Sequence, residues 1–160
     1  MSKVDKMSDK QYLFGVIFIV ANRVDTMLER EFKRFDITTK QWFLSVIIKN
    51  LFDKPPTMKE VAKEMGSSHQ NVKQVALKLE QKGLLILQKD KRDARVTRLK
   101  LTESSYDFWK KLSEEGTTFT QALFKNIDKG ELEVARRVMQ KMQLNINEMD
   151  NDSDGVKNSE

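Results

Sequence analysis

The stretch that decides the fold runs from Thr57 to Leu101: TMKEVAKEMGSSHQNVKQVALKLEQKGLLILQKDKRDARVTRLKL. Thr57-Met58-Lys59-Glu60 is a capping box, in which hydroxyl and carboxylate each take an N–H that the first helical turn leaves unpaired. It opens a helix to about Met65, with Met58, Val61, Ala62 and Met65 on the buried side. Gly66 suits a left-handed helix stop. Ser67 and Ser68 are N-cap candidates for a second helix over His69 to about Lys82. On that helix Val72, Val75, Ala76 and Leu79 fall at i, i+3, i+4 and i+7, a buried stripe. Gln70, Lys73, Gln74 and Leu77, flanked by Asn71 and Lys78, form another face. Two capped helices joined by a turn containing Gly make a helix-turn-helix. Gly83 ends the second helix, and Leu84 to Leu87 reads as a short apolar strand. Thr97, Leu99 and Leu101 alternate with Val96, Arg98 and Lys100 as a half-buried return strand. The charged tip between them, Gln88 to Arg95, is a wing.

Charge is concentrated in this stretch. Ser67 to Lys100 holds nine basic and three acidic residues, a net of +6, whereas the whole chain carries +5. Such a local excess is the footprint expected of a nucleic-acid binder. Gln70, Asn71 and Gln74 can donate and accept at adenine edges, and Lys73 and Lys78 can meet guanine or phosphate. Ser67, Ser68 and His69 lie at the helix N-terminus, where backbone N–H groups and the dipole favour a phosphate. Leu77 would meet a thymine methyl or stand as an ordinary exposed leucine. On the wing, Lys89, Lys91, Arg92 and Arg95 carry the positive charge, and Arg92 is placed to enter a minor groove. Asp90 is expected to pair with Arg95 across the hairpin and hold the shape of the tip.

Outward from this stretch the chain is helical. Ser8 to Gln11 is a capping box for a helix to about Arg34, and its first half, Tyr12 to Val20, is apolar nearly all round. Such a helix must be covered on all sides. A second subunit is the preferred cover, and a central position in one core is the alternative. Thr38 to Gln41 opens another helix, to about Asn50 or Leu51. Trp42, Phe43, Val46 and Ile47 are its core positions, with Trp42 or Phe43 also candidates to line a small-molecule pocket. Pro55-Pro56 forces extended backbone before Thr57. Thr102 caps a long helix to about Asn126, in which Gly116, Thr117 and Thr118 permit a bend. Asp128 to Glu131 starts the last helix, to about Met149. The expected organisation is a flexible N-terminus over 1–7, one domain over 8–149, and a disordered acidic tail over 150–160. Asp150 to Gly155 matches the first half of a calcium loop, D-x-D-x-D-G, but the bidentate acid would fall past Glu160. The tail is therefore read as disordered rather than metal-binding.

Composition removes several function classes. There is no Cys, so disulfides and thiol sensing are out, and a single His, His69, leaves multi-histidine metal sites little to draw on. The apolar run Tyr12 to Ala21 is about half a bilayer span, and no signal-peptide pattern stands at the N-terminus. No nucleophile–base pair, metal cluster or phosphate loop is present. A cytoplasmic protein that is not an enzyme and needs no cofactor is expected.

At this level the chain resembles the MarR family of bacterial transcription regulators. The resemblance rests on Asp90-x-Arg92-Asp93-x-Arg95, on Leu79-Glu80-x-Lys82-Gly83-Leu84 before it, and on Leu99-x-Leu101-Thr102-Glu103 after it. Ile37-Thr38-x-x-Gln41 adds the usual opening of the second helix, and the likeness spans about residues 8 to 148. It implies a mainly α fold: a winged helix-turn-helix with a two-stranded β wing, over about 37–102, between dimerisation helices at about 8–34 and 103–149. It implies a homodimer on a near-palindromic double-stranded operator. Ser67, Ser68, Gln70, Asn71, Lys73, Gln74 and Lys78 would lie in the major groove and Arg92 at the wing tip. It also implies repression released by a small aromatic effector. A constitutive regulator with no ligand, and a winged-helix module that binds proteins, are the alternatives. The chain departs from the family pattern at His69, where Pro is frequent, and at Ser104-Ser105, in place of an acidic-Gly pair.

Overall fold

Capping residues set most of the element boundaries. In a computed structural model, which describes residues 7–157, α1 spans Asp9–Phe32, α2 Thr39–Leu51, α3 Met58–Met65, α4 His69–Gln81, α5 Glu103–Leu123 and α6 Lys129–Lys157. Strands β1 (Leu85–Lys89) and β2 (Thr97–Leu101) pair antiparallel, with Leu85 opposite Leu101 and Lys89 opposite Thr97. The boxes expected at Ser8, Thr38 and Thr57 each form both of their bonds. Asp128 and Glu131 do the same before α6, at 2.9 and 2.8 Å. Gly66 and Gly83 take φ of +58° and +70°. After each, an N–H returns to the carbonyl five positions back, Ser67 to Ala62 and Leu84 to Leu79, both at 2.9 Å. A residue with a Cβ would lose about 1–2 kcal/mol in that conformation, so glycine stops both helices of the helix-turn-helix.

The chain packs as two units, one ending at Lys111 and the other beginning at Leu112, inside α5. The sequence predicts a single domain over 8–149. In the first unit Leu44 and Ile47 of α2, Val61 of α3, Val72, Ala76 and Leu79 of α4, and Leu85, Leu99 and Leu101 of the hairpin are all buried. Full burial of such a side chain is worth about 1.5–3 kcal/mol. One core thus holds α3, α4 and the wing together. On α1, Phe14 and Phe18 stay 67% and 58% exposed, their rings 5.5 Å apart. In the second unit, Leu132, Val134, Val138, Leu144 and Ile146 of α6 are exposed. No helix among the described residues is long and apolar enough to cross a membrane.

Several boundaries and faces differ from expectation. On α2 the buried residues are Thr39, Gln41, Leu44, Ser45, Ile47 and Ile48, while Phe43 is exposed. Trp42 is half-buried, its ring 5.7 Å from that of Phe32. Ser45 can lie inside because its hydroxyl donates to the Gln41 carbonyl at 3.0 Å. Helix α1 closes at Phe32, followed by one tighter turn, Lys33–Phe35, and by Asp36 at φ +54°. Helix α5 continues through Gly116 and ends at Leu123. Helix α6 runs to Lys157, so the backbone of residues 150–157 is helical rather than a disordered tail or half a calcium loop. No proline interrupts it, and an interior glycine such as Gly155 costs only about 1 kcal/mol. Residues 1–6 and 158–160, which hold most of the expected flexible N-terminus and the end of the tail, lie outside the described residues.

Candidate nucleic-acid interface

Burial of Val72, Ala76 and Leu79 turns the opposite side of α4 outward. Gln70, Lys73, Gln74, Leu77 and Lys78, spaced along one face, are all exposed. Ser68, His69 and Asn71 are exposed at the N-terminal end, and Ser67 is half-exposed. The Ser68 hydroxyl accepts the Asn71 N–H at 3.2 Å and so caps the helix, while the Val72 N–H closes the first helical bond on the Ser68 carbonyl at 3.1 Å. At the other end Glu80 joins α4 to the wing, its carboxylate accepting the Leu87 N–H at 2.9 Å.

The wing tip is organised by Asp90, but not through the expected partner. Asp90 pairs with Arg98, and Arg95 pairs with Asp93 through Nε–Oδ1 and Nη2–Oδ2 bonds of 3.1 Å each. The register gives the reason. The Asp90 N–H donates to the Val96 carbonyl and Gln88 lies opposite Arg98, so Gln88, Asp90, Val96 and Arg98 share one face of the hairpin. Asp90 and Arg98 are then diagonal neighbours within reach of a long side chain, and Arg95 belongs to the other face. Oδ1 of Asp90 also accepts the N–H groups of Arg92 at 2.8 Å and Asp93 at 3.2 Å, which folds the tip back on itself. The Arg98 guanidinium, with those two N–H groups, holds the Asp90 carboxyl down at about 2. The Arg95 guanidinium likewise lowers the Asp93 carboxyl.

This arrangement sorts the wing cations. Arg95 is committed to Asp93, and Lys89 Nζ lies 3.5 Å from the Thr97 hydroxyl. Lys91 and Arg92 are exposed and form no ion pair among the described residues. Arg98, read from the sequence only as an outward strand residue, proves to be the anchor of the tip. Its parity with Asp90 along the hairpin is the signal that finds it.

Other positioning residues are missed because their partners are distant in sequence. Lys82, just past α4, bonds both the carbonyl and the carboxylate of Asp36 in the α1–α2 turn. Glu29 of α1 accepts the Thr39 N–H at the start of α2, at 2.6 Å. Ser105 is fully buried, its hydroxyl donating to the Thr102 carbonyl at 2.6 Å, so a small residue is required where the family pattern has Gly.

A mainly helical chain whose three-helix core carries an outward polar α4 and a two-stranded wing is a winged helix-turn-helix protein, with the fold of the MarR and SlyA regulators. The transcriptional regulator SlyA superposes over 88% of this chain and 96% of its own, with a TM-score of 0.73 at 18% identity. A MarR protein from Peptoclostridium difficile covers 88% of this chain and 90% of its own, with a TM-score of 0.73 at 22% identity. MepR of S. aureus, solved in complex with DNA, covers 88% and 99%, with a TM-score of 0.71 at 20% identity. At such identities the likeness is one of fold. No family model matches the sequence.

Proposed function

We propose that this chain is a sequence-specific DNA-binding regulator of transcription that acts as a cytoplasmic homodimer. The observation that carries the proposal is the outward polar face of α4 beside a wing whose Lys91 and Arg92 form no ion pair among the described residues, both packed on one core. The structural likeness to MepR, a protein solved on DNA, supports it. Ser67, Ser68, His69, Gln70, Asn71, Lys73, Gln74 and Lys78 would face the major groove, with Lys89, Lys91, Arg92 and Arg95 on the wing. Exposed apolar side chains on α1 and α6 support covering by a second copy of the chain. Two recognition helices would then enter successive major grooves roughly 34 Å apart on a near-palindromic site.

Repression follows from occupying the promoter, with release by a small aromatic effector that prefers a half-site spacing unsuited to DNA. A groove of about 610 Å³, with Ile48, Phe52, Ile86 and Tyr106 in its wall, supports that part of the proposal. Selection of bound duplexes from a random pool tests the function and yields the operator together. Enrichment of one near-palindromic site is the expected result. No enrichment and no salt-sensitive duplex affinity would favour the protein-interaction module instead.

A further inference from the structure

A cleft of about 570 Å³ lies between the wing and the loop that precedes α3, with Lys54, Lys91, Arg92 and Arg98 in its wall. The acidic side chain in that wall, Asp90, is already taken by Arg98. Lys54, Lys91 and Arg92 are exposed and form no ion pair among the described residues. Asp53 lines the neighbouring groove rather than this one. The cleft therefore concentrates three uncompensated cations from two separate segments of the chain.

The loop that carries Lys54 is not free to move away from the wing. Arg98 donates from Nη1 to the Pro55 carbonyl at 2.9 Å while its Nε holds Asp90. The Leu99 N–H donates to the Pro56 carbonyl at 2.8 Å, and Thr57 forms an antiparallel bridge with Arg98. The loop is in effect a third strand at the edge of the hairpin. The two prolines keep it extended and offer no N–H that would compete for the edge. One guanidinium thus fixes both walls of the cleft, and Lys54 shares it with the wing cations.

We propose that Lys54, Lys91 and Arg92 form a single phosphodiester-binding cleft, and that Lys54 contacts the sugar–phosphate backbone of the duplex beside the wing. The proposal rests on the DNA-binding function proposed above and adds a contact outside the helix-turn-helix and the wing. A phosphate contact carries no base information. Its loss must weaken binding to every duplex by the same factor, and it must lower the dependence on salt. Each phosphate contact contributes about 0.9 to the slope of log affinity against log salt, so a dimer that loses one per protomer loses about 1.8.

The test compares the full-length wild type with Lys54→Gln and Lys54→Arg. Binding is titrated by fluorescence anisotropy from 50 to 200 mM salt. The probes are a duplex selected by the wild type and a random duplex of equal length. Over that fourfold range of salt, a slope change of about 1.8 alters the ratio of wild-type to variant affinity roughly twelvefold. The expected result is an equal loss on both duplexes for Lys54→Gln, a flatter salt dependence, and recovery with Lys54→Arg. Lys54 is exposed, and matching circular dichroism and melting curves would show the variants folded. A wild type that binds while Lys54→Gln keeps its affinity and slope overturns this proposal alone. A loss confined to the selected duplex also overturns it, because the contact would then read bases. A wild type that binds neither duplex overturns both proposals.

Discussion

Leu77 and Leu79 lie two residues apart on α4, and their truncations should separate core from interface. Leu79 is fully buried, whereas Leu77 is 40% exposed on the outward face. Leu79→Ala removes three carbons from the core, about 2.4 kcal/mol at roughly 0.8 kcal/mol for each. The cavity left behind adds to this, and buried Leu→Ala changes cost about 2.7–5 kcal/mol in total. A small domain has only about 5–15 kcal/mol of stability, so the variant should be folded but visibly weakened. Leu77→Ala should change stability by less than about 1 kcal/mol. Urea denaturation read by circular dichroism, with unchanged denaturant dependence, measures both differences. Duplex affinity, measured well below the unfolding midpoint, should be lowered by the Leu77 change at sites with thymine in reach. A stability loss above about 2 kcal/mol for Leu77→Ala, or below about 1 kcal/mol for Leu79→Ala, would mean that α4 is rotated from the orientation that buries Leu79.

Three further outcomes follow from the same geometry. Arg92→Ala should weaken duplex binding and lower the salt slope by about 0.9 per lost contact, with fold and dimer intact; an unchanged gel-shift titration would remove Arg92 from the interface. The Asp90 carboxyl lies at about 2 in the folded wing against an ordinary 3.8. Its contribution to wing order should be complete above about pH 4 and disappear as the pH falls through about 2. Carbon-detected NMR of that carboxyl would expose an error if it titrated near its ordinary value. Phe18→Glu on the exposed face of α1 should convert a dimer to monomers in sedimentation velocity, and an undisturbed dimer would mean that a second copy does not cover this face.

The helix-turn-helix and wing were legible in the sequence because their signals are local. A capping box spans four residues, a helix stripe repeats within eight, and a left-handed stop needs one glycine; Thr57, Gly66, Ser68 and Gly83 all act where such rules place them. The outward set on α4 follows from the inward one, since burial of Val72, Ala76 and Leu79 leaves only one side for the remainder. The buried face of α2 departs from the apolar pattern because Gln41 and Ser45 lie inside, each held by its own bond, to the Thr38 N–H and to the Gln41 carbonyl, which helical spacing does not reveal.

Which charge meets which is a property of the folded chain. Opposite charges stand at many spacings in this chain, and Coulomb attraction alone does not choose among them. Hairpin register gave Asp90 to Arg98 and left Arg95 to Asp93. The packing of the α2–α3 loop against β2 then placed Lys54 in the cleft with the wing cations, more than thirty positions away in the chain. The elements, their caps and the face of α4 that turns outward follow from local sequence, because these depend on neighbours within a few residues. The pairing of charges and the composition of the basic cleft depend on backbone segments brought together by the core, so they became readable only when the chain was folded.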